Sequence, residues 1–207
     1  MRVESIEATR SPQRKLRVRF DDGSSITVLP SAMAELGLYQ GMEIPDGAME
    51  SIKAACAKAS ARERAVRIVS STTVSKRELE HRLIQKGERE EDAKQAVQWL
   101  EELKLLDDAQ AAEQIVRNGA AKGYGAARIK QMLFEKRIPK EYWDAALAQL
   151  PPQDDTIDSY LQRRFRGRQP DRAECKRAAD ALLRRGHSWS DVRSALERYA
   201  PEEELEQ

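Results

Sequence analysis

Apolar and polar residues follow two rhythms along this chain. From Leu16 to Phe20 they alternate, with Arg17 and Arg19 between Leu16, Val18 and Phe20. A period of two marks a half-buried strand. Asp22-Gly23 and the β-branched run Ser25-Ile26-Thr27-Val28 come next, and the set reads as a hairpin. A looser alternation through Val3, Ile6 and Ala8 adds a third strand, so a small three-strand element ending at Pro30 is expected. Leu38 to Pro45, punctuated by Gly37, Gly41 and Pro45, reads as a connector.

From Gly47 the rhythm becomes helical, with Ile52, Ala55, Ala59, Ala65, Ile68 and Val69 on one stripe up to Ser70. The helical pattern then repeats. Leu79, Leu83, Lys86, Val97 and Leu100 recur 50 residues on as Ile129, Leu133, Lys136, Leu147 and Leu150. They recur 49 residues further as Ala178, Leu182, Arg185, Leu196 and Tyr199. A period of this size marks an array of small supersecondary units, each burying part of its apolar face against a neighbour.

Helix ends punctuate each unit. Ser75 with Glu78 and Asp171 with Glu174 have capping-box spacing, and Ser188 with Asp191 marks the last helix. Either Asp107 or Asp108 suits the N-cap of the helix that carries Ala112, Ile115 and Val116. Gly87 and Gly186 are left-handed stops. Gly119 and Gly123-Tyr124-Gly125 are expected to end their helix. Pro139 suits a first helical turn, and Pro151-Pro152 and Pro201 are stops. Nine short helices in three sets of three follow. The fold class is all-α: three tandem three-helix repeats with a small N-terminal β-rich extension. The expected divisions are 1–46 (strands and linker), 47–106, 107–152 and 153–201 (repeats), and 202–207 (an acidic tail with Glu202, Glu203, Glu204 and Glu206).

Composition narrows the class. The chain has 207 residues, 40% hydrophobic, 34% charged and only 5% aromatic, which suits small Ala/Leu-rich bundles with charged outer faces. No apolar run approaches the ~20 residues of a membrane span, and no signal peptide is legible. Cys56 and Cys175 are widely separated and make no disulfide framework. A cytoplasmic, monomeric protein without a membrane partner is expected.

The ordered set Ser75-Lys-Arg-Glu-Leu79, Leu83-Ile-Gln-Lys-Gly87 and Leu105-Leu-Asp-Asp108 resembles the bacterial RecX regulatory proteins. Arg128 to Leu150, with Ile129, Leu133, Lys136 and Ala146-Leu147, is similar to that family's second repeat. The resemblance spans roughly residues 60–200. It departs from the family at Leu106, at Ala109-Gln110 and at Arg137-Ile138-Pro139, the last replacing a Gly-Val-Asp turn. The resemblance implies an elongated, curved array that binds the RecA recombinase filament on DNA and lodges in its helical groove. There it would modulate, mostly inhibit, strand exchange, ATP hydrolysis and the SOS coprotease function. The roles implied are thus in DNA repair and recombination.

No catalytic set is visible, and no enzyme, metal or cofactor is expected. His81 and His187 lack ligand-spaced partners, and neither cysteine has an evident base. Gly123-Tyr124-Gly125 is expected to be a helix–helix turn and not a dinucleotide loop, with Tyr124 expected to be exposed enough to touch a partner. Trp99, Trp143 and Trp189 fall at inequivalent repeat positions and read as core plugs. The one functional signal is basic. Net charge is only +1, yet Arg163 to Arg198 holds 11 basic and 5 acidic residues. Arg163, Arg164, Arg166 and Arg168 cluster at a helix end and loop, and Arg172, Lys176, Arg177, Arg184 and Arg185 lie on the next helix. Arg128, Lys130, Lys136 and Arg137 form a smaller group. Such groups attract phosphate or an acidic protein surface. The alternative to a filament regulator is a direct, non-specific DNA-binding repeat protein, with Arg172 to Arg185 as its candidate DNA-facing helix.

Overall fold

The computed structural model describes residues 1–11 and 14–199; the expected stop at Pro201 and the acidic tail lie outside them. The chain forms two compact units. The first comprises Met1–Thr72 with Leu79–Leu106, the second Thr73–Glu78 with the chain from Asp107 onward.

In the first unit, β1 (Val3–Ala8), β2 (Leu16–Phe20) and β3 (Ser25–Val28) form an antiparallel sheet in that order. Ile6 pairs with Val18, and Val18 with Ile26. Alternation places Val18 and Phe20 in the core and Arg17 and Arg19 outside. The turn closes through Gly23 at φ +81°, and the Phe20 amide donates to the Ser24 carbonyl at 3.0 Å. Val3, Val28, Leu38, Ile44 and Ile52 complete this core. The connector therefore contributes Leu38 and Ile44 to the packing. It also follows an unexpected helix, α1 (Pro30–Glu35), which has only six residues and one buried side chain, Ala32. That is too short for a helical period to show, and its proline is the first helical residue, a position where the missing N–H costs nothing.

α2 (Ala48–Ser71) packs along α4 (Glu90–Glu102), and α3 (Lys76–Gln85) lies between them in sequence. Ala61 and Ala65 of α2 and Ala93 and Ala96 of α4 are buried, small side chains that allow a close approach. Leu79, Leu83 and Leu100 are fully buried. Each contributes about 1.5–3 kcal/mol relative to exposure. The turn after α3 is fastened to α2: Glu88 accepts from Arg64 Nε at 2.7 Å and from the Ser60 hydroxyl at 3.2 Å. The Arg62 guanidinium lies 4.9 Å from the Trp99 ring centroid.

The second unit holds two helical triplets. The first is α5 (Asp108–Ala121), α6 (Ala126–Glu135) and α7 (Trp143–Leu147), the last entered through a 3-10 turn at Lys140–Tyr142. Its core is Ala112, Ile115, Val116, Ile129, Leu133, Ile138 and Ala146. The next is α8 (Gln153–Phe165), α9 (Arg172–Arg184) and α10 (Trp189–Glu197), around Ile157, Leu161, Phe165, Ala178, Leu182, Val192 and Leu196. The repeat-equivalent leucines Leu83, Leu133 and Leu182 are all buried, as the period requires. The nine expected helices are α2 to α10; with α1 the described residues hold ten, and α2, at 24 residues, is not short.

Several local expectations are revised. Asp107 is the N-cap of α5, accepting from the Ala109 and Gln110 amides at 2.7 and 3.2 Å. Asp108 instead accepts from the Lys76 amide at 2.8 Å and is buried. Gly119 does not end α5. It lies inside the helix, where a Cβ would come within 2.7 Å of Ile129 Cγ1, so it permits the close approach of α6. Pro139 marks the start of the last helix one residue before its first turn, as the N-cap of the 3-10 turn that runs into α7. The capping box at Asp171 and Glu174 is complete, and the Ser188 hydroxyl accepts from the Asp191 amide at 3.1 Å.

The two triplets of this unit meet through backbone. The Gly125 amide donates to the Arg185 carbonyl at 2.9 Å, and the Ala127 amide to the Gly186 carbonyl at 3.1 Å. The start of α6 is thus capped by the turn after α9. One repeat earlier the same relation holds with a side chain. The Ser75 hydroxyl, at the start of α3, donates to the Lys136 carbonyl at 2.7 Å, with the Arg137 carbonyl at 3.2 Å, and accepts from the Glu78 amide at 3.1 Å. The basic junction residues found by periodicity are therefore the acceptors of a recurring joint. Gly87, Arg137 and Gly186, at the equivalent turn of each repeat, share a left-handed conformation, with φ of +90°, +54° and +86°.

Candidate functional site

Beside the joint of α6 and α9 an open cleft of about 670 Å³ lies between the end of α5 and one face of α8. The left-handed stop at Gly123 turns the chain out of α5 and sets Lys122 on the rim. The last turns of α8 supply Arg163 and Arg164, and the turn after α9 supplies Arg185. Asp155 is the one carboxylate among the lining residues.

Tyr160 organises the cations. The Arg185 guanidinium lies 5.0 Å from its ring centroid, and Arg164 Nη1 donates to its hydroxyl at 3.3 Å. Arg163 Nε donates to the Ser159 carbonyl at 2.9 Å. None of these contacts neutralises a charge, so four cations face one carboxylate around the opening. Such a concavity attracts phosphate or clustered carboxylates.

The other basic residues are distributed elsewhere. Arg168 is held by Glu174, which accepts from its Nη1 at 2.8 Å, and the guanidinium keeps the Glu174 carboxyl below its ordinary value. Arg128 donates to Gln131 at 2.8 Å and lies 3.8 Å from Glu135. Arg137 lies 3.4 Å from Glu78. Lys130, Arg166, Arg172, Lys176, Arg177 and Arg184 are exposed, and Lys136 is half-buried at the end of α6. The cleft thus gathers Arg163, Arg164 and Arg185 of the thirteen, and adds Lys122 and Tyr160. The pattern did not mark these two, because Lys122 sits in a turn and Tyr160 on the flank of an apolar stripe.

His187 lies buried in the turn after α9, with Nε2 3.2 Å from the Gly123 carbonyl. That contact assigns the ring proton to Nε2. Burial pushes its pKa down, the hydrogen bond to Gly123 opposes this, and Arg185 adds to the depression. Burial raises the Cys56 thiol, and Cys175 is packed in the third core. Tyr124 packs against the core of the second triplet. Trp143 is a core plug whose indole N–H donates to the Ile138 carbonyl at 3.0 Å, but Trp189 is 57% exposed and plugs nothing. Among the described residues no cluster of His, Cys, Asp or Glu is placed to hold a metal, and no helix is long and apolar enough to cross a membrane.

Fold and cleft define a tandem helical-triplet protein whose last two triplets share a backbone joint, with a cleft of four cations against one carboxylate beside it. The family model of the second three-helix domain of RecX matches residues 107–147. A regulatory protein RecX from Vibrio campbellii is 31% identical over 140 residues, covering 66% of this chain and 90% of that protein. One from Stenotrophomonas maltophilia is 32% identical over 143 residues, covering 68% and 87%. A crystal structure of regulatory protein RecX superposes with a TM-score of 0.63 at 23% identity, over 95% of this chain and 98% of that one, and shares the fold. The chain belongs to the RecX family, as its motifs suggested. The names of these relatives support a regulatory role.

Proposed function

We propose that the protein binds the RecA recombinase filament on DNA as a monomer and restrains it. It lodges along the helical groove, spans neighbouring subunits, and blocks entry of a second DNA or of a coprotease substrate. Strand exchange, ATP turnover and coprotease activity fall as the groove fills. The mechanism is steric and electrostatic, without a chemical step or cofactor, and the protein acts in the cytoplasm. The repeats divide at 47–106, 107–152 and 153–201, each a unit of contact.

Family membership carries this reading, and the uncompensated cations of the cleft support it. A nucleoprotein filament offers both phosphates and acidic side chains to Arg163, Arg164 and Arg185. Many modest contacts along a repeated surface sum to useful affinity. The test adds the purified protein to recombinase on single-stranded DNA. ATP turnover and strand exchange should fall at stoichiometric protein; unchanged rates would refute the proposal.

The same cleft favours a second reading, direct non-specific DNA binding. Salt-titrated binding to naked DNA separates the two. Weak, strongly salt-dependent binding favours the filament as the true target, and tight binding without recombinase favours the second reading.

A further inference from the structure

One position in the repeat carries an apolar side chain that its own core does not use. Ile84, Phe134 and Leu183 each follow a buried leucine of a middle helix, and they are 41%, 71% and 39% exposed. Core packing accounts for the leucine, not for its neighbour.

Phe134 forms a wall of an open groove of about 790 Å³, with Ile138, Pro139 and Trp143 as its other apolar lining. Arg77 and Lys140 line the same groove, both exposed and without an ion pair among the described residues. Of the other charged lining residues, Glu135 lies 3.8 Å from Arg128 and Arg137 lies 3.4 Å from Glu78, which leaves Arg77 and Lys140 facing Glu141 alone. The groove is thus apolar inside with free positive charge at its edge. One repeat on, Leu183 and the exposed Trp189 flank the corresponding turn, beside exposed Arg184. Trp189 occupies the repeat position of Lys140.

We infer that the Phe134 groove docks an acidic protein segment bearing a large apolar side chain. Identical subunits present it, so that Leu183 and Trp189 receive its next copy. This rests on the filament reading and names the protein element that the groove engages. Protein fits better than nucleic acid here. The apolar lining of Phe134, Ile138, Pro139 and Trp143 offers burial that a phosphodiester cannot use, and three cations to two carboxylates make this groove less positive than the α5–α8 cleft, with four to one. Apolar burial supplies affinity, and the flanking cations select an acidic partner.

The experiment compares full-length wild type with Phe134→Ser, Phe134→Leu and the double variant Arg77→Glu/Lys140→Glu. Each is co-sedimented with recombinase filaments on poly(dT) in a slowly hydrolysed ATP analogue. Each is also titrated against labelled oligo(dT) alone, and melted. Phe134→Ser and the double variant should weaken filament binding about tenfold or more, the scale of an exposed anchor that becomes buried on docking. Phe134→Leu should retain most of it. Oligo(dT) affinity and melting should not move. Wild-type binding by both weakening variants overturns the inference and leaves the filament reading standing. An equal loss on oligo(dT) assigns the groove to DNA and also overturns it. If the wild type fails to sediment with the filament, the reading and the inference fall together.

Discussion

Gly87 and Gly186 occupy the same repeat position and the same backbone conformation, φ +90° and +86°, but different surroundings. A Cβ on Gly87 would meet nothing within 4 Å. On Gly186 it would lie 2.3 Å from the Arg128 amide nitrogen and 2.6 Å from Arg128 Cβ. Gly87→Ala therefore carries only the left-handed penalty, about 1–2 kcal/mol. Gly186→Ala carries the same penalty and also drives the start of α6 away from the turn. That motion breaks the Gly125–Arg185 and Ala127–Gly186 hydrogen bonds, at about 1 kcal/mol each. The expected losses are about 1–2 and 3–4 kcal/mol. The gain from a stiffer unfolded chain is common to both variants and cancels in the difference. Urea unfolding of the two variants, analysed by linear extrapolation, measures that difference. Hydrogen exchange at the Gly125 and Ala127 amides, the two donors, localises it, and only Gly186→Ala should lose protection there. Equal destabilisation within about 0.5 kcal/mol would refute the close joint.

Three further outcomes follow from the same structure. Ser75→Ala removes a cap and a fully buried hydroxyl that ties α3 to Lys136, and should cost about 1–3 kcal/mol in the same unfolding assay, with Ser75→Thr milder. Burial lowers the His187 pKa, so as pH falls through the ordinary value of ~6.5 the unfolded chain takes up a proton before the folded chain does. Stability should be pH-independent through this group above that value and should fall as pH drops below it, levelling off under the depressed folded value. His187→Gln should abolish that slope in chemical denaturation between about pH 5 and 7. Replacing Arg163 and Arg164 by Gln should lower the slope of log affinity against log salt on single-stranded DNA by about 0.7 for each phosphate no longer neutralised. An unchanged slope would place the phosphates elsewhere.

Much of the architecture was legible because its signals are redundant. Alternation in Leu16–Phe20, the Asp22-Gly23 turn and the recurring leucines at 83, 133 and 182 each had one physical reading. α1 escaped because six residues carry no period. Gly119 was read as a stop because sequence does not distinguish a glycine that ends a helix from one that admits a neighbour. The joint was half visible: the period marked Lys136 and Arg185 by their side chains, but their backbone carbonyls make the link. Arg137 marks the limit of composition as a guide. It holds the left-handed turn that glycine holds in the other two repeats, so its departure from the family pattern left the geometry intact. The cleft needed tertiary structure, because Lys122, Arg163, Arg164 and Arg185 come from three separate segments. Local charge density marked Arg163, Arg164 and Arg185 but equally Arg166 and Arg168, which lie outside the lining, and Arg168 is paired with Glu174.

The central claim is occupancy of the recombinase groove, and cryo-electron microscopy of RecA filaments saturated with this protein tests it most directly. The account predicts continuous extra density along the groove, bridging adjacent subunits, with the triplets in register with the filament's repeat. Bare grooves, with the protein found only on naked DNA or at filament ends, would contradict it.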